Sequence, residues 1–236
     1  MPAMPSRRSI LIDLVLFSIG LGVVVLLNQT PVQDYLSLTN PRERTLRDFA
    51  KFDRKLSREP EIARALQGVT GEEARSLKLR ELSQRGTTRL DNDTLIERAR
   101  ILSLVYSHMS DHACADIERA SGYTENDADE LTQALTALGH AGVSRWMEVL
   151  RRATLAEVRK YPKPIVTRTE VMAAFVELQK KIGRMAANRV DAGVNVHSPD
   201  GELAYAARTI YSIAPRLPEP HGAVLLRMME GAYKED

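Results

Sequence analysis

The chain has 236 residues, of which 33 are basic and 31 acidic, so its formal net charge is only +2. The charges are interleaved and aromatic residues make up 5%, which disfavours a nucleic-acid-binding surface built from a basic patch and stacking rings. Cys114 is the only cysteine, so an intramolecular disulfide is excluded. Ala, Leu, Arg and Glu are abundant, and these residues favour helices.

The first feature along the chain is an apolar run. A basic head, residues 1–9, precedes Ile10–Leu27, and residues 14–33 carry no charge at all. Because a helix rises about 1.5 Å per residue, about 20 apolar residues cross a hydrocarbon core of about 30 Å. We therefore predict a transmembrane signal anchor over residues 10–30, followed by a spacer over residues 31–40.

A cleaved signal peptide is the competing interpretation of this run. It needs a small-x-small cleavage site, and the only such pattern is Gly20–Gly22. Cleavage there would leave Val23 and the apolar residues after it as the mature N-terminus, so an uncleaved anchor is favoured. The small pair Ser18 and Gly22 lies four residues apart, a spacing that permits homodimerisation through this helix.

The flanking charges indicate an orientation. Arg7 and Arg8 lie directly before the apolar run, whereas Asn28–Pro41 contain no Lys or Arg. The positive-inside rule then predicts a single-pass protein of the inner membrane with its soluble domain in the periplasm. Arg42 begins a further basic stretch that weakens this asymmetry, and a cytoplasmic domain is the alternative.

Residues 41–236 show the signals of an all-α domain. Helix-start signals recur at Asn40–Pro41 and at Thr124-x-x-Asp127, and about nine helices are predicted in total. The most regular one is predicted to start at Thr167 or Thr169 and to end before Gly193. Its apolar stripe comprises Met172, Phe175, Leu178, Ile182 and Met185. Strand alternation is nearly absent and no repeat period emerges, which predicts an irregular multi-helix bundle.

Two histidines and the cysteine supply the best local metal-site candidate. His108 and His112 are four residues apart, which on one helix would place both on the same face as metal ligands, with Cys114 as a third candidate. Met109 stands where an H-E-x-x-H metalloprotease has its general base. Ser110 can cap a new helix, which would separate the two histidines. The alternative is two ordinary histidines at a helix junction.

Two other polar segments are candidate sites. The acidic cluster near the predicted helix start consists of Glu125, Asp127, Asp129 and Glu130. It lacks the alternating ligands and glycine turn of a calcium loop, and favourable interaction with the helix dipole explains it. The segment Gly193–Gly201 is the candidate recognition loop, with a plain connector as the alternative.

The functional hypothesis rests on the anchor, the helices and the missing motifs. No P-loop, G-x-G-x-x-G or G-x-S-x-G occurs, so no catalytic residue, cofactor or cofactor-binding residue is assigned. The leading hypothesis is a membrane-anchored, non-enzymatic helical interaction protein of the bacterial cell envelope, with a protein partner and no nucleic-acid partner. The alternative is a membrane-anchored hydrolase with a dispersed or metal-dependent active site.

Overall fold

The computed structural model describes residues 40–119 and 124–234. Within these ranges there are eleven α-helices: α1 (Pro41–Leu56), α2 (Pro60–Ala65), α3 (Glu72–Thr87), α4 (Asn92–Ser107), α5 (Asp111–Arg119), α6 (Glu125–Ala137), α7 (Gly139–Val158), α8 (Arg168–Ile182), α9 (Arg184–Gly193), α10 (Asp200–Ile213) and α11 (His221–Met229). A 3-10 turn (Ala214–Arg216) follows α10, and the two-residue strands β1 (Val166–Thr167) and β2 (Tyr233–Lys234) pair in parallel.

These elements confirm the all-α class and the helical bundle for the part of the chain that the structure describes. The predicted anchor over residues 10–30, and with it the contact through Ser18 and Gly22, lies outside the described residues. No helix within residues 40–119 and 124–234 is both long and apolar enough to cross a membrane.

The predicted helix starts are confirmed at their capping residues. Asn40 caps α1 through its side chain, with proline in the first turn. Thr124 and Asp127 form a capping box at α6, in which each side chain bonds the backbone N–H of the other residue. Thr167 and Glu170 do the same at α8. Because these bonds satisfy N–H groups that have no partner inside the helix, local sequence is enough to fix the starts.

The prediction of one continuous helix from Thr167 to the residue before Gly193 is wrong. Gly183 has a φ of +83°, a conformation that residues with a Cβ rarely adopt, and it separates α8 from α9. Beyond this break Met185 is 89% exposed. Met172 lies within α8 but off its buried face, and it is 59% exposed.

Helices α3 and α7 pack with their backbones in direct contact. A Cβ added to Gly86 of α3 would lie 1.7 Å from the carbonyl oxygen of Ala153 in α7, so only glycine permits this helix approach. Trp146, on the same long helix α7, is fully buried. Tight packing of this kind tolerates little change in side-chain volume.

Elsewhere in the core, a buried carboxylate joins α4, α5 and α10. Glu118 of α5 is 4% exposed and accepts hydrogen bonds from the hydroxyls of Tyr106 in α4 (2.8 Å) and Tyr211 in α10 (3.2 Å). The two tyrosine rings meet edge to face with centroids 5.5 Å apart. Because an unpaired buried charge is costly, these hydroxyls fix how α5 docks between α4 and α10.

We expect replacement of Tyr106 or Tyr211 by Phe to lower the free energy of unfolding by about 1.5–3 kcal/mol each, since each change removes a hydrogen bond to a buried charged group. The matched control is Tyr205→Phe, at a half-buried ring that stacks under the Arg189 guanidinium, and we expect it to change stability by less than about 0.5 kcal/mol. Urea denaturation measures all three. Equal effects at Tyr106, Tyr211 and Tyr205 would contradict the role assigned to Glu118.

Candidate functional site

The predicted histidine pair is divided between two helices. α4 ends at Ser107, and His108 is its exposed C-cap residue. The Oγ of Ser110 then accepts a hydrogen bond from the backbone N–H of Ala113 (3.2 Å) at the start of α5. His112 therefore lies on a new helix, and the four-residue spacing does not place the two histidines on one helix face.

Cys114 points into the core. It is fully buried, with its Sγ 3.6 Å from Nη2 of Arg208 and 3.8 Å from the backbone oxygen of Tyr106. Burial raises the pKa of the Cys114 thiol to about 12, against the opposing effect of the Arg208 guanidinium. The buried Sγ is therefore not at the surface on which His108 and His112 are exposed.

His112 instead meets two carboxylates. Within the described ranges, one group of three side chains could hold a metal ion, and it consists of His112, Asp116 and Asp127. Their ligand atoms all lie within 4.8 Å of one another. Asp116 is one helical turn beyond His112 on α5, and Asp127 belongs to the capping box of α6.

Sequence reasoning assigned one of these residues and missed two. The signal for Asp116 was present, because a histidine and an acid four residues apart share one helix face. The helix start alone accounts for an acid at Asp127, and no local sequence pattern indicates that its side chain lies near α5.

A third carboxylate, that of Asp200, bonds the other nitrogen of the imidazole. His112 Nδ1 donates to Oδ2 of Asp200 at 2.8 Å. The hydrogen bond to Asp200 and the nearby Asp116 carboxylate raise the pKa of His112. Asp200 is itself held by Arg119, which donates to its Oδ1 at 2.6 Å.

Arg119 also fixes the predicted recognition loop. Besides Asp200, its guanidinium donates to the backbone oxygens of Val196 (3.0 Å) and Ser198 (2.7 Å). Three hydrogen bonds from one planar group tie this segment to α5. This geometry favours the connector interpretation over the recognition loop, because the segment is held against α5 and orients Asp200.

A cleft of about 520 Å³ between α1 and α3 is a separate feature that sequence reasoning missed. Its lining includes Asp53, Arg54, Ser57, Arg58, Arg75 and Ser76. Burial raises the pKa of the Asp53 carboxyl to about 7, while the Arg80 guanidinium acts in the opposite direction. A carboxyl that titrates near neutral pH in a cleft is a candidate for acid-base work.

The third feature is the outer face of α8. Arg168, Met172, Val176 and Lys180 follow one another at four-residue intervals and are all exposed; we call these four residues the α8 row. Met172 is 59% and Val176 50% exposed. The opposite face of α8, which packs towards α11, is buried and consists of Val171, Ala174 and Leu178.

No protein-family model, curated protein sequence or solved structure matches the chain. The function is therefore inferred from the chain's own residues.

The cleft carboxyl gives a pH prediction. An unfolded Asp titrates near 3.8 and folded Asp53 near 7, so between these values the folded state binds more protons. The free energy of unfolding should therefore fall as pH rises from about 4 to about 7, and Asp53→Asn should abolish that part of the slope. Urea denaturation at several pH values measures this slope. Asp93→Asn, at an exposed carboxyl, is the control. A slope that Asp53→Asn leaves unchanged would contradict the assignment.

Proposed function

We propose that the chain is a membrane-tethered, non-enzymatic helical binding protein of the bacterial cell envelope, which contacts a partner protein through the α8 row. The observation that carries this proposal is the pair of exposed apolar side chains, Met172 and Val176, on a helix whose other face is already buried. Neither side chain contributes to the core, and burying such a side chain against a partner yields about 1.5–3 kcal/mol.

The residue types of the row fit a protein partner better than a lipid surface. Methionine is flexible and polarisable and is enriched, with arginine, at protein interfaces. Helices that lie on membranes place Trp, Phe or Leu on the apolar face. The row offers Met172 and Val176 in place of such residues.

The charges around the row favour an acidic partner. Arg168 forms no ion pair with any described residue, and Lys180 bonds Glu177 on its own helix at 2.6 Å. Three further cations near the ends of α8 also have no ion pair within the described part of the chain: Lys163, Lys181 and Arg184. An acidic surface with a small apolar centre is complementary to this arrangement.

The tether supplies the second element of the proposal. Residues 10–30 would anchor the domain in the inner membrane, with residues 41–236 in the periplasm. Confinement to a surface raises the effective concentration of the domain near a partner in the same envelope, so a small contact such as the α8 row can suffice.

A membrane-anchored hydrolase is the second candidate, and the Asp53 cleft is the observation that favours it. Asp53 has the pKa of a general base at neutral pH and lies among arginines that suit an anionic substrate. The hydroxyl of Ser57 at this cleft donates to the backbone oxygen of Arg54 at 3.0 Å. It is therefore not bonded to Asp53 as an activated nucleophile would be, which ranks this function second.

Site-specific photocrosslinking in cells tests the binding surface. A photoreactive residue at Val176 should give one discrete adduct with a protein of acidic surface. The same residue at Leu104, which is 49% exposed and so matches Val176, should give none. The double variant Arg168→Glu/Lys180→Glu should reduce the adduct by about tenfold, which corresponds to about 1.4 kcal/mol of lost complementarity.

Three results would contradict the proposal. Equal yields at Val176 and Leu104 would show that the α8 row is not special. Adducts with lipid would indicate a membrane-facing surface, and adducts with a second copy of the chain would indicate self-association.

A further inference from the structure

Asp127 carries an unsatisfied buried oxygen. The residue is fully buried, and its Oδ2 accepts from the backbone N–H (2.9 Å) and the hydroxyl (2.6 Å) of Thr124. Its Oδ1 has no hydrogen-bond partner among the described residues. Leaving a carboxylate oxygen dry and unpaired is costly, so the position calls for a cation or a donor. Capping α6 requires only the other oxygen.

The surroundings of Asp127 supply the remaining ligands of a cation. Nε2 of His112 lies 3.5 Å from Oδ2 of Asp116, beyond a good hydrogen bond. A tetrahedral ion with bonds of about 2.1 Å separates neighbouring ligand atoms by about 3.4 Å. All three side chains present ligand atoms within 4.8 Å of one another, so small side-chain movements would complete the coordination.

Asp200 orients the His112 ring as the outer partner of a metal ligand would. When the imidazole is neutral, a hydrogen bond from Nδ1 of His112 to Asp200 leaves the lone pair on Nε2, the nitrogen that faces Asp116. A carboxylate behind a histidine is the usual outer partner of a metal ligand, since it fixes the tautomer and the ring orientation. Arg119 in turn holds Asp200 in place.

We propose that His112, Asp116 and Asp127 bind one divalent transition-metal ion, with Zn²⁺ the best-fitting member of that class. Two carboxylates balance the charge of the ion, and an imidazole ligand selects transition metals over Ca²⁺ and Mg²⁺, which take oxygen ligands. The side chain of His112 is 62% exposed, so the remaining coordination position is open to water. The ion would join α5 to α6. This site is independent of the α8 row and extends beyond the proposed function.

Titration of the full chain with ZnCl₂, read by calorimetry and by metal analysis after dialysis, tests the site. We expect one Zn²⁺ per chain and loss of binding in His112→Ala, Asp116→Asn and Asp127→Asn. Asp200→Asn should weaken binding by about 10- to 100-fold, because it removes the outer partner of the histidine. His108→Ala is the matched control and should bind Zn²⁺ as the unaltered chain does.

A spectroscopic readout keeps the test independent of folding. His112 is exposed on the outer face of α5, so His112→Ala alters no core contact, and circular dichroism checks the buried Asp127→Asn variant. Bound Co²⁺ should give the visible absorption of a tetrahedral ion, lost with His112→Ala. Failure of the unaltered chain to bind Zn²⁺ with a Kd below about 100 µM would overturn the proposal. Binding that survives His112→Ala, or that is lost with His108→Ala, would overturn it as well.

Discussion

The Glu118 carboxylate is the interaction on which the arrangement of α4, α5 and α10 depends. A carboxyl group this deeply buried needs hydrogen-bond donors, and the hydroxyls of Tyr106 and Tyr211 on the neighbouring helices donate to it. With Glu118 and Cys114 facing inward, helical geometry turns His112 and Asp116 outward, towards α6 and α10. The position of the candidate metal ligands therefore follows from a bond made on the opposite face of the same short helix.

The helix starts could be predicted from local sequence, whereas contacts between residues far apart in the sequence could not. The capping boxes at Thr124 and Thr167 involve residues three positions apart, so their sequence signal is complete in itself. The bond between His112 and Asp200 joins residues 88 positions apart, and no local pattern encodes it. The same applies to the Asp53 cleft, where the pKa depends on burial between two helices.

Helix breaks at Gly183 and Ser110 decide two of the sequence interpretations. A stripe counted at helical spacing assumes a continuous helix, and the positive φ of Gly183 ends that helix before Met185, which is exposed. Met172 is exposed for a different reason, since it lies off the face of α8 that Val171, Ala174 and Leu178 bury. A shared helix face for His108 and His112 required one helix across Ser110, and the structure has the stated alternative, in which Ser110 caps a new helix. Exposed Met172, with Val176, is the basis of the proposed contact. The partners of His112 are Asp116, which the four-residue spacing indicates, and Asp127, which no local pattern indicates.

Tethering is central to the proposed function, because it places a modest contact surface where a partner in the envelope can meet it. The most direct measurement is the distribution of the chain between membrane and soluble fractions after carbonate and high-salt washing. The full chain should remain with the membrane, and a chain beginning at Asn40 should be recovered in the soluble fraction. Recovery of the full chain in the soluble fraction, or a mature N-terminus near Val23, would contradict the tether.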